Sequence, residues 1–314
     1  MNFTPSVLSF ILTAEAEVYG IPTKKPKFHQ QVQPSPSPWS PWKVSENIVT
    51  CENNIIMQLF NRVAFVTGAA QGLGKAFSEA LLNRGAKVCF TDIQVSKGKE
   101  VEKTYSDKYG QDRVLFLHCD VSSSASLANS FKDAVSKFGH IDLMVNNAGI
   151  ADESRLRDMV NINLIGAIEG SMLAVEHMRK DKGGKGGVVI NIASTAGLTG
   201  VYFVPSYCAS KFGLVGFHLS WASNPYNSQM GLQFGCLCPA FTDTDILNQK
   251  EKQMLYFEDG QRITKHLGIN RVEKVVQGFL QMVESENCNG DIITITAKED
   301  IQYSRRASSK MSHL

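Results

Sequence analysis

Tyr207 and Lys211 stand four residues apart, a spacing that on a helix puts both side chains on one face, roughly 6 Å from each other. A free phenol has a pKa of about 10 and is a poor base near neutral pH. An ammonium at that range, at an effective dielectric of about 20, stabilises a phenolate by roughly 3 kcal/mol, or about two pKa units. The expectation is a Tyr207 general base tuned by Lys211. A Tyr and a Lys on one face are not diagnostic by themselves. Tyr105 and Lys108 also share a face, in a polar stretch, and read as a solvated pair. What distinguishes Tyr207 is the rest of the chain.

The second chemical feature is Thr67-Gly68-Ala69-Ala70-Gln71-Gly72-Leu73-Gly74. It follows the short apolar run Arg62–Thr67, which predicts one buried strand. Gly68 allows a sharp exit from that strand, Gly72 a close approach of backbone to phosphate, and Gly74 the packing of helix on strand. The helix expected over Lys75–Arg84 carries Ala76, Phe77, Ala80 and Leu81 as an apolar stripe, and its free N–H groups would face a diphosphate. An ordinary glycine turn would lack this strand and helix, so the turn predicts a dinucleotide site.

A second strand, Ala86–Asp92, ends on a carboxylate about 20 residues past the turn, where a ribose-binding acid belongs. Asp92 can accept from both ribose hydroxyls and would repel a 2′-phosphate. Gln71 is uncharged, and the turn shows no cation to attract that phosphate. The prediction is NAD rather than NADP. The positive nicotinamide would lower the Tyr207 phenol further. Together the features point to hydride transfer between a nicotinamide and a carbonyl or alcohol carbon.

Gly187–Ser194 reads as a buried strand that delivers Ser194 to its C-terminal end, where its hydroxyl can orient a substrate oxygen. Asp142–Gly149 is a further strand, ending in Asn146 and Asn147. Asn163 falls inside the helical stretch Met159–Leu164, where an Asn is disfavoured. It is either an exposed position or a break in the helical ladder that holds a water and links Lys211 to solvent. Strands over Val114–Asp120, Leu232–Cys238 and Ile292–Thr296 complete a doubly wound, Rossmann-type, parallel seven-stranded sheet in one α/β domain. Phe241 to about Thr264 reads as a lid. Its Leu247, Met254, Leu255, Tyr256 and Phe257 either line the site or form a small structural cluster. With Ile150, Leu198, Phe203 and Val204 they predict an apolar pocket suited to a lipid-like or aliphatic secondary alcohol.

Thr67-Gly68-x-x-x-Gly72-x-Gly74, Asn146-Asn147-Ala148-Gly149, Ser194 and Tyr207-x-x-x-Lys211, in this order, resemble the classical short-chain dehydrogenase/reductase family from about Met57 to about Tyr303. The resemblance implies a catalytic tetrad of Asn163, Ser194, Tyr207 and Lys211. It implies NAD held by Gly68, Gln71, Gly72, Leu73, Gly74, Asp92, Ile93, Cys119, Asp120, Val121, Asn147, Tyr207, Lys211, Thr242 and Thr244, and substrate held by Ser194, Val204 and Tyr207. The chain departs from its pattern twice. Val204 stands where the branch it resembles most has a glutamine that helps hold the substrate hydroxyl, and Ala240 replaces the usual glycine after Pro239. Loss of that glutamine leaves the chemistry and puts the substrate in question.

Composition agrees with an enzyme of this kind. The chain has 314 residues, 43% hydrophobic and 20% charged, enough for one large α/β domain with a substantial core. A net charge of +2 argues against nucleic acid or a membrane surface as partner. Seven cysteines form no paired framework, and Cys236 and Cys238 do not make a metal-ligand spacing, so no metal is expected. The expected partner is a small-molecule alcohol or ketone, met by a homodimer or homotetramer in the cytoplasm. Seven of the ten prolines fall in the first 41 residues, which predicts a disordered extension over residues 1–56 ahead of a domain at 57–303. Residues 304–314 read as a flexible tail whose Ser312-His313-Leu314 end resembles a peroxisomal address. A catalytically silent NAD-binding redox sensor or scaffold would share the glycine turn, but would not need Ser194, Tyr207 and Lys211 together.

Overall fold

The computed structural model describes residues 59–247 and 250–305; the proline-rich extension and the Ser312-His313-Leu314 terminus lie outside the described residues. The strands are β1 (Val63–Thr67), β2 (Lys87–Asp92), β3 (Val114–His118), β4 (Leu143–Asn146), β5 (Gly187–Ile192), β6 (Leu232–Pro239), β7 (Asp291–Ile295) and β8 (Gln302–Arg305). They lie in the order β3-β2-β1-β4-β5-β6-β7-β8. The first seven pair in parallel and β8 is antiparallel to β7. The order reverses between β1 and β4, and that switch point opens a crevice beyond the carboxyl ends of both strands.

Eight strands are thus found where seven were expected. The chain folds back after β7, so Gln302–Arg305 returns along its edge, and a return of this length can only pair antiparallel. Four residues without apolar alternation gave no strand signal.

The two-residue period of each strand divides the core. Ala64, Val66, Val88, Phe90, Val145 and Ile190 face one side, where they meet Phe77, Tyr105 and Phe279. Val63, Phe65, Cys89, Met144 and Val189 face the other, against Leu127, Phe131, Ala174 and Val175. The helices are α1 (Gly72–Asn83), α2 (Val95–Tyr109), α3 (Ser124–Phe138), α4 (Leu156–Val160), α5 (Ala167–Met178), α6 (Pro205–Ala222), α7 (Phe257–Leu267) and α8 (Val272–Val283), of which α1, α2 and α8 pack on the first face and α3, α5 and the end of α6 on the second. Phe77 of α1 stacks on Phe279 of α8 with ring centroids 4.3 Å apart, which fixes the start of α1 against the sheet.

Two local results bear on the site. Helix α1 begins at Gly72, three residues before the expected start, so the amides of Gly72, Leu73 and Gly74 are its first N–H groups. A π-helical turn, Asn161–Gly166, joins α4 to α5. Asn163 is buried, which excludes the exposed alternative, and the break in the ladder takes the form of a widened turn within a continuous helix. All six described cysteines are buried and reduced, with Cys236 and Cys238 Sγ atoms 3.8 Å apart on β6.

Candidate active site

The glycine turn is closed around its own backbone. Gly68 has φ +63°, and a Cβ there would lie 2.6 Å from Ala148 Cα. A Cβ on Gly74 would strike Asn147 Nδ2 and the Gly68 carbonyl. Gly72 differs: with φ +56°, the nearest atoms to a Cβ would be those of Thr244 at 3.6 Å. Gly72 is therefore the least crowded of the three glycines, and it stands at the amino end of α1, where free N–H groups form the cradle a diphosphate requires.

The turn is stitched to the loop after β4. Thr67 Oγ1 accepts from Asn147 N and Ala148 N, each at 3.1 Å, and Asn147 Nδ2 donates to Thr67 O and Gly68 O, each at 2.9 Å. Both amide hydrogens of Asn147 are thereby committed to the protein. Its side chain supports the cradle, leaving only its carbonyl oxygen for a ligand.

Asp92 is buried at the end of β2. Its Oδ2 accepts from Ala70 N at 3.0 Å and its Oδ1 from Gln94 N at 2.9 Å. Two backbone donors so fix the carboxylate, and one of them belongs to the glycine turn. Ile93 beside it is 60% exposed, an apolar surface for a flat base. The other residues expected around the cofactor are less directly placed. The Leu73 side chain packs on the core, Cys119 is buried, and Val121 presses its carbonyl toward Gly166. Asp120 Oδ1 accepts from Ser122 N and Oγ and closes its own turn. Thr242 is buried, with its hydroxyl donating to Ala240 O, whereas Thr244 lies over Gly72.

A cation does stand at this turn, contrary to the sequence reading. Lys97 Nζ, from the first turn of α2, donates to Gln71 Oε1 at 2.5 Å and lies 3.9 Å from Asp245 Oδ2. No local pattern reveals it, because Lys97 and Gln71 are 26 residues apart and meet only through the β2–α2 fold.

The four chemical side chains converge at the ends of β4 and β5. Ser194 Oγ donates to Pro239 O and accepts from Ala196 N, each at 3.2 Å, and its hydroxyl is near enough to the Tyr207 phenol to favour the phenolate. Lys211 Nζ is buried, donates to Ile192 O at 2.8 Å and sits 5.7 Å from the Tyr207 ring centroid. Asn163 clamps Ile150: its Oδ1 accepts from Ile150 N and its Nδ2 donates to Ile150 O, each at 2.8 Å. Its Nδ2 also reaches Ser210 Oγ at 3.2 Å. A Cβ on Gly149 would lie 3.2 Å from Asn163 Oδ1 and 3.6 Å from Lys211 Nζ, so Asn163 and Lys211 meet across that glycine.

The shift of the phenol runs opposite to the direction expected from the Tyr–Lys spacing. Burial pushes Tyr207 up to about 12, and the nearby Ser194 hydroxyl only partly opposes it. Burial likewise pulls Lys211 down to about 8. The sequence estimate placed an ammonium in partly solvated surroundings. Here both groups pay desolvation first, and the ammonium is directed to a carbonyl.

Val204 caps α6 with no side-chain acceptor and packs with Ala196, Phe203 and Cys208 against Tyr207, Phe241 and Met254. The lid-like stretch divides: Met254 joins this cluster, whereas Leu255 and Tyr256 are exposed. Glu153 was not foreseen either. It accepts from Tyr207 N at 2.9 Å and Ser206 N at 3.1 Å, closing the start of α6 from a separate loop.

A parallel sheet with this crevice, glycine turn and Ser–Tyr–Lys cluster defines a dehydrogenase of the short-chain type. The family model described as short chain dehydrogenase matches residues 62–255, and the chain belongs to that family. Over 253 residues it is 37% identical to the 15-hydroxyprostaglandin dehydrogenase (NAD(+)) of Mus musculus, covering 79% of this chain and 94% of that one. Over 255 residues it is 38% identical to the enzyme of the same name from Homo sapiens, covering 79% and 95%. A short chain dehydrogenase/reductase from Burkholderia phymatum, solved in complex with NAD, superposes with a TM-score of 0.65 at 22% identity, over 72% of this chain and 86% of that one.

Proposed function

We propose that this protein oxidises a secondary alcohol to a ketone with NAD, and that its alcohol is apolar and lipid-like or aliphatic. The observation that carries the reading is the joining of Ser194, Tyr207 and Lys211 at the mouth of a crevice whose other end holds the Gly72 cradle and the fixed Asp92 carboxylate. The relatives named for NAD-dependent 15-hydroxyprostaglandin oxidation support both the cofactor and the alcohol class.

NAD fits the residues present: the free amides at the amino end of α1 for the diphosphate, Asp92 for the ribose hydroxyls, Ile93 for the adenine. When bound it accepts a hydride from the carbinol carbon. Ser194 orients the alcohol hydroxyl and Tyr207 takes its proton. Burial raises that phenol, so Lys211 and the positive charge of a bound nicotinamide would together have to bring it down. Asn163 holds the backbone at Ile150 beside Lys211 and keeps the wall of the site in place. The apolar cluster of Phe203, Val204 and Met254 flanks Tyr207 and favours a hydrocarbon chain over a sugar.

Leu156, Ile165, Met172 and Phe212 expose apolar side chains on adjoining helices, and we read them as the face on which a second copy pairs. Light scattering of the purified protein tests that pairing. The function is tested by following NADH absorbance with NAD and a panel of 15-hydroxyprostaglandins, hydroxy fatty acids, steroids and short alcohols. No NADH with any alcohol, alongside intact NAD binding, would favour a silent NAD-binding protein instead.

A further inference from the structure

The first turn of α6 is held by a loop that also holds the lid-like strap. Val204, at the N-cap, offers no side-chain acceptor. The acceptor comes from Glu153, whose Oε1 takes Tyr207 N and whose Oε2 takes Ser206 N. These are amides that a helix start leaves without intrahelical partners, and one of them belongs to the residue that carries the phenol. The preceding residue, Asp152, is buried with both oxygens engaged. Its Oδ1 accepts from Ser154 N at 3.1 Å and Ser154 Oγ at 2.6 Å, and its Oδ2 accepts from Gln253 Nε2 at 2.9 Å. Gln253 lies on the strap, where Leu255 N donates to Phe203 O at 2.9 Å and Met254 packs on the Phe203–Val204–Cys208 cluster. Two consecutive carboxylates thus grip opposite sides of the substrate end, one the strap and the other the backbone of Tyr207.

We infer that Glu153 is a positioning residue for Tyr207, and that Asp152, through Gln253, makes this positioning depend on the strap being seated. The inference rests on the reading of Tyr207 as proton carrier. A carboxylate at the amino end of α6 also offsets the positive end of the helix dipole beside the phenol. The other groups that face the phenol are Lys211 and Cys208 on its own helix, Cys238 on β6, and the Ser194 hydroxyl. Removal of the Glu153 charge acts on top of these.

The test uses the full chain with Glu153→Gln, Glu153→Ala, Gln253→Met and the Glu153→Ala/Gln253→Met double variant. Cyclohexanol and a 15-hydroxyprostaglandin serve as alcohols, NADH fluorescence reports cofactor binding, and Tyr207→Phe is run beside them. Glu153→Ala should lower kcat at least about tenfold, or ~1.4 kcal/mol, with NADH affinity within twofold. Glu153→Gln keeps an acceptor and should recover most of kcat. The acidic limb of its kcat/KM profile should move to lower pH by about 0.2–0.7 unit. Gln253→Met should lower kcat and raise the alcohol KM severalfold, and should add little to Glu153→Ala, because the two act through one connection. A Glu153→Ala protein with a lower Tm but kcat within twofold of native would overturn the inference. So would effects that multiply in the double variant. Where Glu153→Ala does not fold, an unmoved acidic limb in Glu153→Gln together with native kcat in Gln253→Met overturns it. An active Tyr207→Phe protein removes the parent reading instead, whatever the Glu153 variants do.

Discussion

Replacing Asp92 by Ala should change both cofactor choice and stability, and the structure sets the size of each. The carboxylate is buried and accepts two backbone amides. Leaving these without a partner costs about 2–4 kcal/mol in all, a fall in Tm of roughly 5–15 °C for a domain of this size. For the cofactor, the repulsion is worked for a 2′-phosphate of about −1.5 to −2 charges at an assumed separation of roughly 6 Å from the carboxylate. At an effective dielectric of about 40 for this solvent-facing mouth, their repulsion is ~2–3 kcal/mol. Its removal should shift the NADP:NAD ratio of kcat/KM by about thirty- to a hundredfold toward NADP. Asp92→Asn separates the two effects, since it removes the charge but turns an NH2 group toward one of the amides. Lys97 should sharpen the result: with its ammonium at Gln71, Lys97→Met in the Asp92→Ala background should withdraw part of the NADP gain. The assay is initial-rate kinetics with each dinucleotide, together with thermal melts. A ratio within threefold of native in Asp92→Ala, or a native protein that already prefers NADP, would refute the reasoning.

Tyr207→Phe should abolish turnover yet bind NADH normally, whereas Lys211→Ala should lose both; residual Tyr207→Phe activity within about tenfold of native would sink the assignment of the proton carrier. Burial holds Lys211 at about 8, below its ordinary 10.5. The unfolded chain therefore binds the extra proton between those values, so the contribution of Lys211 to stability is present above pH 10.5 and is lost as pH falls through about 8, up to ~3 kcal/mol. The Tm of the native protein relative to Lys211→Met should accordingly rise from pH 8 to pH 10, and a flat difference would mean Lys211 titrates normally. Val204→Gln should raise kcat/KM for 15-hydroxyprostaglandins relative to simple alcohols by about twofold to tenfold, the value of one hydrogen bond; equal efficiency in both proteins would remove Val204 as the discriminating position.

The parts of the site visible in the sequence are those whose chemistry is local. Gly68, Gly72 and Gly74 answer to backbone constraints within one turn, and Tyr207 and Lys211 to one helical period. The parallel strands announced themselves as buried apolar runs because both faces are covered. Contacts made by the fold left no such mark. Glu153 reaches Tyr207 across 54 residues and Lys97 reaches Gln71 across 26, and neither spacing has a period to detect. Burial misled in a different way. The four-residue spacing places Tyr207 and Lys211 on one helix, but how far desolvation outweighs the ammonium depends on packing from β5, β6 and α6, which no stretch of sequence states.

The four hydrogen bonds that join Thr67 and Gly68 to Asn147 and Ala148 have a kinetic consequence. They lock together the loops on either side of the switch point, so the crevice cannot gape by spreading its walls. Traffic of a dinucleotide then falls to the remaining boundary, where Thr244 lies over Gly72. The chain that forms this boundary runs on into the strap seated on Phe203 and Asp152. The residue over the cofactor turn and the strap beside Tyr207 thus belong to one stretch of sequence. Were the strap to lift from Phe203 and Asp152, the alcohol end and the cofactor turn would be uncovered by the same segment.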